Sequence, residues 1–358
     1  MISHQTVADA FAKYRAGDDE PAKTLYAACA AGDAWRPEAL YLLGLVTERR
    51  GDLSKGKVLI NQAIAERPEI DFHDYHRARL LQQGRLDHRD HAERRFQLYL
   101  ASLTIDSFLI SYPKCGRTWL RLLLGKYAVG FEGDQDPIEV YEVTRGLDEF
   151  PSLEISHDDY PHWKAASLQC TDKRAFADKN VVFLVRDPRD AIVSYYFQYV
   201  KRGDRKHAKD DFDGSISEFV QHEIGGLRSI TNFYNIWAAN ATVPKAFMMV
   251  TYEDLSADPV KSLGDIVSFL GWPDRGTSYL ERVVEFGKFE NMRKMEARNT
   301  LNNSRLSPPK DGDPEGFKTR KGKVGGYRDY LSDDDCRYID DYLAANLDAT
   351  YAYGQLRG

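Results

Sequence analysis

From about residue 102 onward the chain alternates short, almost uninterrupted apolar runs with amphipathic segments, and this alternation constrains its fold more than any other feature. Residues 107–111 (SFLIS) precede a helical stretch after Lys114, residues 180–185 (NVVFLV) one after Pro188, and residues 245–252 (KAFMMVTY) one after Asp258. A strand without a polar face must be covered on both sides. The pattern therefore predicts an α/β fold, a central parallel sheet with helices on both faces. Ligands of such sheets bind at the carboxyl ends of the strands, so the residues that follow SFLIS and NVVFLV are expected to carry the chemistry.

Ahead of this region, residues 5 to 100 read as helices only, with apolar residues at three- and four-residue spacing and breaks at Gly17, Gly51 and Gly84. A self-comparison at 34 residues aligns Ala10, Gly17, Tyr26 and Cys29 with Gly44, Gly51, Ile60 and Ala63, and the second unit ends at Pro68. The stretch resembles the tetratricopeptide repeat, in which small residues let two antiparallel helices pack closely and Gly marks the turn between them. Only the Gly pair is identical, and Gly56 stands where the repeat normally has Ala. A chain of 358 residues suits two domains. The expected division is a helical, tetratricopeptide-like domain over 1–102 and an α/β domain over 103–358.

Composition narrows the function classes. Hydrophobic residues at 42% and charged residues at 29% exclude a wholly disordered chain. With 49 Lys+Arg against 55 Asp+Glu the net charge is −6, which argues against a general polyanion binder, so nucleic acid is not an expected partner. The four cysteines (Cys29, Cys115, Cys170, Cys336) form no CxxC pair, so neither a zinc site nor a disulfide framework is indicated, and a reducing cytoplasm is expected. The first twenty residues lack the apolar core of a signal peptide. No stretch approaches the ~20 apolar residues of a membrane span.

Immediately after the first apolar run comes YPKCGRTWLRLLLGKY, a turn that opens directly into a helix. Free amides at the start of a helix attract an anion, Gly116 permits close approach of the backbone, Lys114 adds a charge and Thr118 a hydroxyl. The standard nucleotide-triphosphate loop, G-x-x-x-x-G-K-S/T, is absent. The second run ends in VRDPRDAIVSYY, which places Arg186 at a strand end and Ser194 eight residues on, about two turns into a helix. Both can donate to a phosphate, although Arg186 taken alone reads rather as the partner of Asp187 or Asp190, or as a structural cap of the sheet. Near the C-terminus RKGKVGGYRD clusters Arg320, Lys321 and Lys323 with glycines, a composition suited to an anion-binding loop.

In this order and spacing, the three segments resemble the sulfotransferases that use 3′-phosphoadenosine 5′-phosphosulfate (PAPS). The family's first motif, Tyr-Pro-Lys-Ser-Gly-x-Thr-Trp, is matched at Tyr112, Pro113, Lys114, Gly116, Thr118 and Trp119, with Cys115 in place of Ser and Arg117 at a position commonly Thr or Asn. The resemblance implies that the loop from Lys114 to Trp119, with Cys115 and Arg117 inside it, wraps the phosphosulfate and that Trp119 stacks on adenine. It implies that Arg186 and Ser194 hold the 3′-phosphate, together with the third segment, where Arg320, Lys321, Gly322, Gly325, Gly326, Tyr327 and Arg328 follow the family pattern with three substitutions. Tyr252 and Phe289 resemble its adenine-pocket residues. The product would be adenosine 3′,5′-bisphosphate (PAP), with no metal required.

Sulfuryl transfer also needs a base for the incoming hydroxyl or amine, and a His suits that task. LEISHDDYPHW offers His157 at the end of a short apolar run, with His162 and Asp158 as alternatives. His157 is the assignment made here, with Lys114 stabilising the departing phosphate. Helix-terminal amides and Lys114 are expected to acidify the Cys115 thiol, opening a route to redox control, although a small residue replacing Ser is the simpler account. Residues 201–214 and 292–318 read as loops, and 295–316 are expected to be mobile without cofactor and to cover the acceptor. Their polar composition suits a saccharide or another hydroxylated small molecule. The N-terminal helices would dimerise, dock a partner protein or wall the acceptor site. Two other readings compete: an ATP-dependent phosphotransferase of related architecture, and a non-catalytic adaptor built on the helical layer.

Overall fold

The structure, a computed structural model, describes residues 2, 4–66, 105–132, 136–145, 147–202, 210, 212–309 and 313–354. The chain folds as two compact units, Met1–Ile105 and Asp106–Gly358.

The described part of the first unit is four helices: α1 (His4–Arg15), α2 (Glu20–Ala28), α3 (Arg36–Arg49) and α4 (Leu53–Glu66). Gly17 and Gly51 adopt positive φ (95° and 98°) in the turns between α1 and α2 and between α3 and α4, where a side chain would be strained. Helices α3 and α4 meet at two glycines. A Cβ on Gly44 would lie 2.6 Å from the Ile60 side chain, and one on Gly56 would lie 2.9 Å from the Gly44 carbonyl. Phe11, Leu25, Tyr41, Leu45 and Ile60 are among the buried residues of this core. Pro68 and the expected break at Gly84 lie outside the described residues.

The second unit is built on four parallel strands, β1 (Ser107–Ser111), β2 (Leu153–Ser156), β3 (Asn180–Val185) and β4 (Ala246–Thr251), in the order β2-β1-β3-β4. Ser107 pairs with Leu153 on one side and Asn180 on the other. Each apolar run singled out in the sequence is a strand, and β1 is buried along its whole length, as a strand covered on both faces must be. After β1 come α5 (Arg117–Val129) and α6 (Val140–Arg145), and after β3 come α7 (Pro188–Arg202), α8 (Ile216–Gln221) and α9 (Leu227–Ala239). Among the described residues, five α-helices follow β4: α10 (Tyr252–Ala257), α11 (Pro259–Phe269), α12 (Thr277–Phe286), α13 (Phe289–Arg298) and α14 (Asp333–Asn346). The chain passes from one side of β1 to the other between β2 and β3. The carboxyl ends of β1 and β3 therefore flank the switch point, where this topology places a ligand.

The expectation of a loop over 292–318 is corrected. Residues 292–298 complete α13, and Met292 and Glu296 bury its inner face. Apolar and paired polar groups at i, i+4 outweigh the charged composition that suggested a loop. Beyond Asn299, whose φ of 48° ends the helix, the chain runs in extended segments and single turns. Lys201 and Arg202, expected in a loop, form the last turn of α7, where cations complement the helix dipole.

Candidate active site

The loop after β1 is bent by Lys114 (φ 69°) and Gly116 (φ 93°), and Gly116 is the residue from which α5 starts. Glycine is required there twice over, because a Cβ at that φ would also lie 2.5 Å from the Tyr252 ring. Tyr112 anchors the loop from below by donating to Ser229 Oγ (3.0 Å) and the Gly225 carbonyl (3.3 Å). Arg186 leaves the end of β3 and donates to the Lys114 carbonyl (3.2 Å) and the Lys323 carbonyl (3.0 Å), tying all three predicted segments together. Asp190, one turn on, lies 3.4 Å from the Arg186 guanidinium and accepts from the amides of Gly325 (2.8 Å) and Tyr327 (2.9 Å). Arg186 therefore both pairs with Asp190 and lines the cavity between these segments.

These segments surround a cavity of about 310 Å³, in the range of small-molecule sites. Of the predicted site residues, Lys114, Gly116, Arg117, Thr118, Trp119, His157, Arg186, Ser194, Tyr252, Phe289, Arg320, Lys321 and Gly322 all line it. The aromatic part is compact: the Trp119 and Tyr252 rings meet edge-on with centroids 6.0 Å apart, and the Arg186 guanidinium lies over Tyr252 at 4.3 Å. Gly322 (φ 60°) passes so close to Phe289 that a Cβ would lie 2.6 Å from the ring.

Cys115 is the exception. Its side chain is buried under the loop, against Tyr234 Oη (3.3 Å), and does not reach the cavity. Burial pushes its thiol up to about 12, the reverse of the acidification expected from Lys114 and the helix start. Desolvation wins because the thiol faces the core.

The family profile described as "Sulfotransferase domain" matches residues 104–351. The chain belongs to the sulfotransferase family. It is 26% identical to flavonol 3-sulfotransferase of Flaveria bidentis over 68% of this chain and 82% of that one, and 28% identical to human sulfotransferase 2B1 over 63% and 62%. Among solved structures it is similar to mouse sulfotransferase SULT7A1 complexed with PAP, with a TM-score of 0.49 and 22% identity over 69% of this chain and 86% of that one. It is thus an enzyme of the sulfuryl-transfer class.

Within the sulfotransferase site, His157 follows β2, and its Nδ1 lies 2.8 Å from the Ser111 carbonyl. A carbonyl only accepts, so Nδ1 carries the proton and Nε2 is left with its lone pair. Burial, with the Arg117 charge next, holds the imidazole well below its usual pKa, so it is neutral at pH 7. The alternatives are occupied. His162 is 2% exposed, packs against the rings of Tyr112, His157, Trp163 and Tyr195, and does not line the cavity. Asp158 pairs with Lys173 at 2.5 Å and accepts from Trp237 Nε1 at 3.1 Å.

Several lining residues escaped the sequence reading. Gln198 accepts from Lys114 Nζ (3.3 Å), and Asp190, Ser194 and Gln198 form an i, i+4, i+8 stripe on α7 that the helical period could have revealed. Lys318 had no such signal. Its amide and the Thr319 amide donate to the buried Glu296 carboxylate (2.7 and 2.8 Å), which also pairs with Arg202 (3.3 Å). Burial, then the charges of Arg202, Lys114 and Arg117, pushes the Lys318 ammonium down to about 7. Burial likewise takes Arg117 to about 9, with Arg121 adding to it. The cavity holds more cationic charge than the protein neutralises. Among the described residues no cluster of His, Cys, Asp and Glu is placed to hold a metal ion.

Proposed function

We propose that the cavity binds PAPS and that the enzyme transfers its sulfuryl group in line to a hydroxyl or amine of a polar small molecule, releasing PAP. The observation that carries this reading is convergence: three segments far apart in sequence bring their basic residues and two glycine cradles to one cavity that His157 also lines. A multiply charged nucleotide fits these residues. The cations outnumber the local carboxylates, and Arg186 Nε and Trp119 Nε1 are buried without a hydrogen-bond partner among the described residues.

When bound, the phosphosulfate supplies the sulfuryl group on a phosphate leaving group. Lys114 and the amides that open α5 neutralise the charge that grows on that phosphate. Arg186 and Ser194, with Arg320, Lys321 and the backbone at Gly322, hold the 3′-phosphate. Trp119, Tyr252 and Phe289 enclose adenine. His157 Nε2 takes the proton of the attacking group, and the Ser111 carbonyl keeps the ring in the tautomer that can do so. The acceptor class, a saccharide or a hydroxylated metabolite, follows from the polar residues around 299–318. No helix among the described residues is long and apolar enough to cross a membrane. Four free thiols, and relatives named cytosolic sulfotransferases, support a cytoplasmic setting. For the helical N-terminal unit, a tetratricopeptide-like role in docking a protein or a second copy remains our reading.

Two substitutions test the assignment by separating chemistry from binding. His157→Ala should abolish transfer from labelled PAPS while PAP affinity, measured by calorimetry, stays within about twofold. Arg186→Ala deletes a charge-assisted bond and should weaken PAP by about 1.5–3 kcal/mol. Turnover retained by the first variant would move the base elsewhere, and unchanged PAP binding by the second would remove Arg186 from the 3′-phosphate.

A further inference from the structure

The backbone turns in an unusual way directly after the base. Of the six non-glycine residues with positive φ among the described residues, three follow His157 in succession: Asp158 (49°), Asp159 (61°) and Tyr160 (50°). This left-handed region is unfavourable for any L-residue with a Cβ, and Asp is one of the few types that tolerate it. Three such residues in a row persist only where their surroundings over-determine them, and such strain gathers at functional sites.

Two buried ion pairs hold this turn. Asp158 meets Lys173 Nζ at 2.5 Å and accepts from Trp237 Nε1 at 3.1 Å. Lys173 is 2% exposed and donates also to the Cys170 carbonyl (2.6 Å), and Trp237 is fully buried on α9. Asp158 thus ties the turn to the segment before β3 and to α9. Asp159 closes on its own neighbourhood, pairing with the buried Lys164 at 2.6 Å, and the Tyr160 ring stacks on Trp163 with centroids 4.6 Å apart. The Asp158 amide donates back to Ser156 Oγ (3.0 Å), at the end of β2. A buried ion pair adds little stability over an apolar pair of the same volume, so stability alone does not account for these groups. What they fix is one backbone geometry, and the residue that depends on it is His157. Ser156 is in register with Ile110, so His157 leaves the sheet beside Ser111, and its Nδ1 reaches the Ser111 carbonyl (2.8 Å) only while the turn keeps the backbone there.

We propose that Asp158 is a positioning residue for the base: anchored to Lys173 and Trp237, it holds the left-handed turn that keeps His157 Nδ1 on the Ser111 carbonyl and Nε2 available to the attacking group. The Asp159–Lys164 pair is a second clamp on the same turn. The inference rests on the reading of His157 as the base. Asp158 does not line the cavity, so it acts through the backbone and touches neither nucleotide nor acceptor. Its loss should therefore fall on kcat and spare binding.

The test uses the full chain with ¹⁵N-labelled histidine, and the His157 ring signals are assigned by their loss in His157→Ala. In the wild type they should report a single tautomer protonated at Nδ1, and signals averaged between the two tautomers would overturn the proposal. The variant Asp158→Asn/Lys173→Met removes both charges together, so no buried charge is stranded, and Asn keeps the tolerance of positive φ; it should melt close to the wild type. Its His157 signals should average between tautomers. With labelled PAPS and 4-nitrophenol as a small hydroxyl acceptor, its kcat should fall about tenfold or more while KM and PAP affinity stay within about twofold. An unchanged tautomer, an unchanged kcat, or a loss that falls on KM or on PAP would each overturn the proposal. Where the pair variant does not fold, Asp158→Asn alone carries the same readings, and where 4-nitrophenol is not turned over, the tautomer decides. A wild type that fails to bind PAP, or turnover retained by His157→Ala, would instead overturn the underlying reading of the site.

Discussion

At the scale of single residues, burial decides what each titratable group can do. His157 is protonated only well below pH 6.5, so the acid limb of a kcat/KM profile should lie below pH 6.5, with a plateau through neutrality. An acid limb at or above 6.5 would assign the rate to another group. The sign for stability is opposite to that of a paired His. Because the folded-state pKa is lowered, the unfolded chain takes up the proton first, and the protein loses stability as pH falls through 6.5. Lys318, held near 7 by burial and neighbouring cations, yields a second prediction. Binding a polyanion beside it restores its proton, so at pH 7.5 the observed binding enthalpy should change linearly with the ionisation enthalpy of the buffer, with a slope that reports proton uptake. Lys318→Met should reduce that uptake, and an unchanged value would locate the proton elsewhere.

At the scale of elements, the site depends on how loops are fixed to helices. Gly322 combines positive φ with a close approach to Phe289. Gly322→Ala should therefore displace the third segment and weaken PAP about tenfold or more, with little change in melting temperature, because the segment is exposed. Equal affinity would mean that the cradle at Gly322 is not used. Glu296 works from further back: fully buried, it holds Arg202 and the amides of Lys318 and Thr319. Glu296→Ala leaves the two amides without their acceptor and Arg202 without its carboxylate, and should cost about 3–5 kcal/mol of stability, read by denaturant unfolding. These elements also show where sequence is informative. SFLIS, NVVFLV and the glycine of the first loop are legible because strand burial and helix initiation are local. The inward turn of Cys115 and the pairing of Glu296 with Arg202 depend on residues about 90 or more positions away, and the place of Lys318 rests on Glu296, which that pairing fixes, so no spacing rule reports them. The loop expected over 292–298 failed for the same reason, since the partners that stabilise its charged helix come from elsewhere in the chain.

At the scale of the whole molecule, the parallel sheet sets the chemistry by placing the ends of β1 and β3 side by side. Two loops separated by some seventy residues meet there, as the bond from Arg186 to the Lys114 carbonyl shows. A third segment, more than a hundred residues later, is fastened to them through Asp190. The four described helices of the N-terminal unit have a buried core of their own, with glycine turns between the paired helices. The central claim is that the cavity recognises the 3′-phosphate of the nucleotide. The most direct measurement is thermal stabilisation by PAP compared with adenosine 5′-phosphosulfate, ADP, and ATP with Mg²⁺, since a ligand at one hundred times its Kd adds about 2.7 kcal/mol to the folded state. PAP should raise the melting temperature clearly more than the other three, and Arg186→Ala should diminish the shift. A larger shift from ATP with Mg²⁺ than from PAP, or no shift from any of the four, would contradict the account.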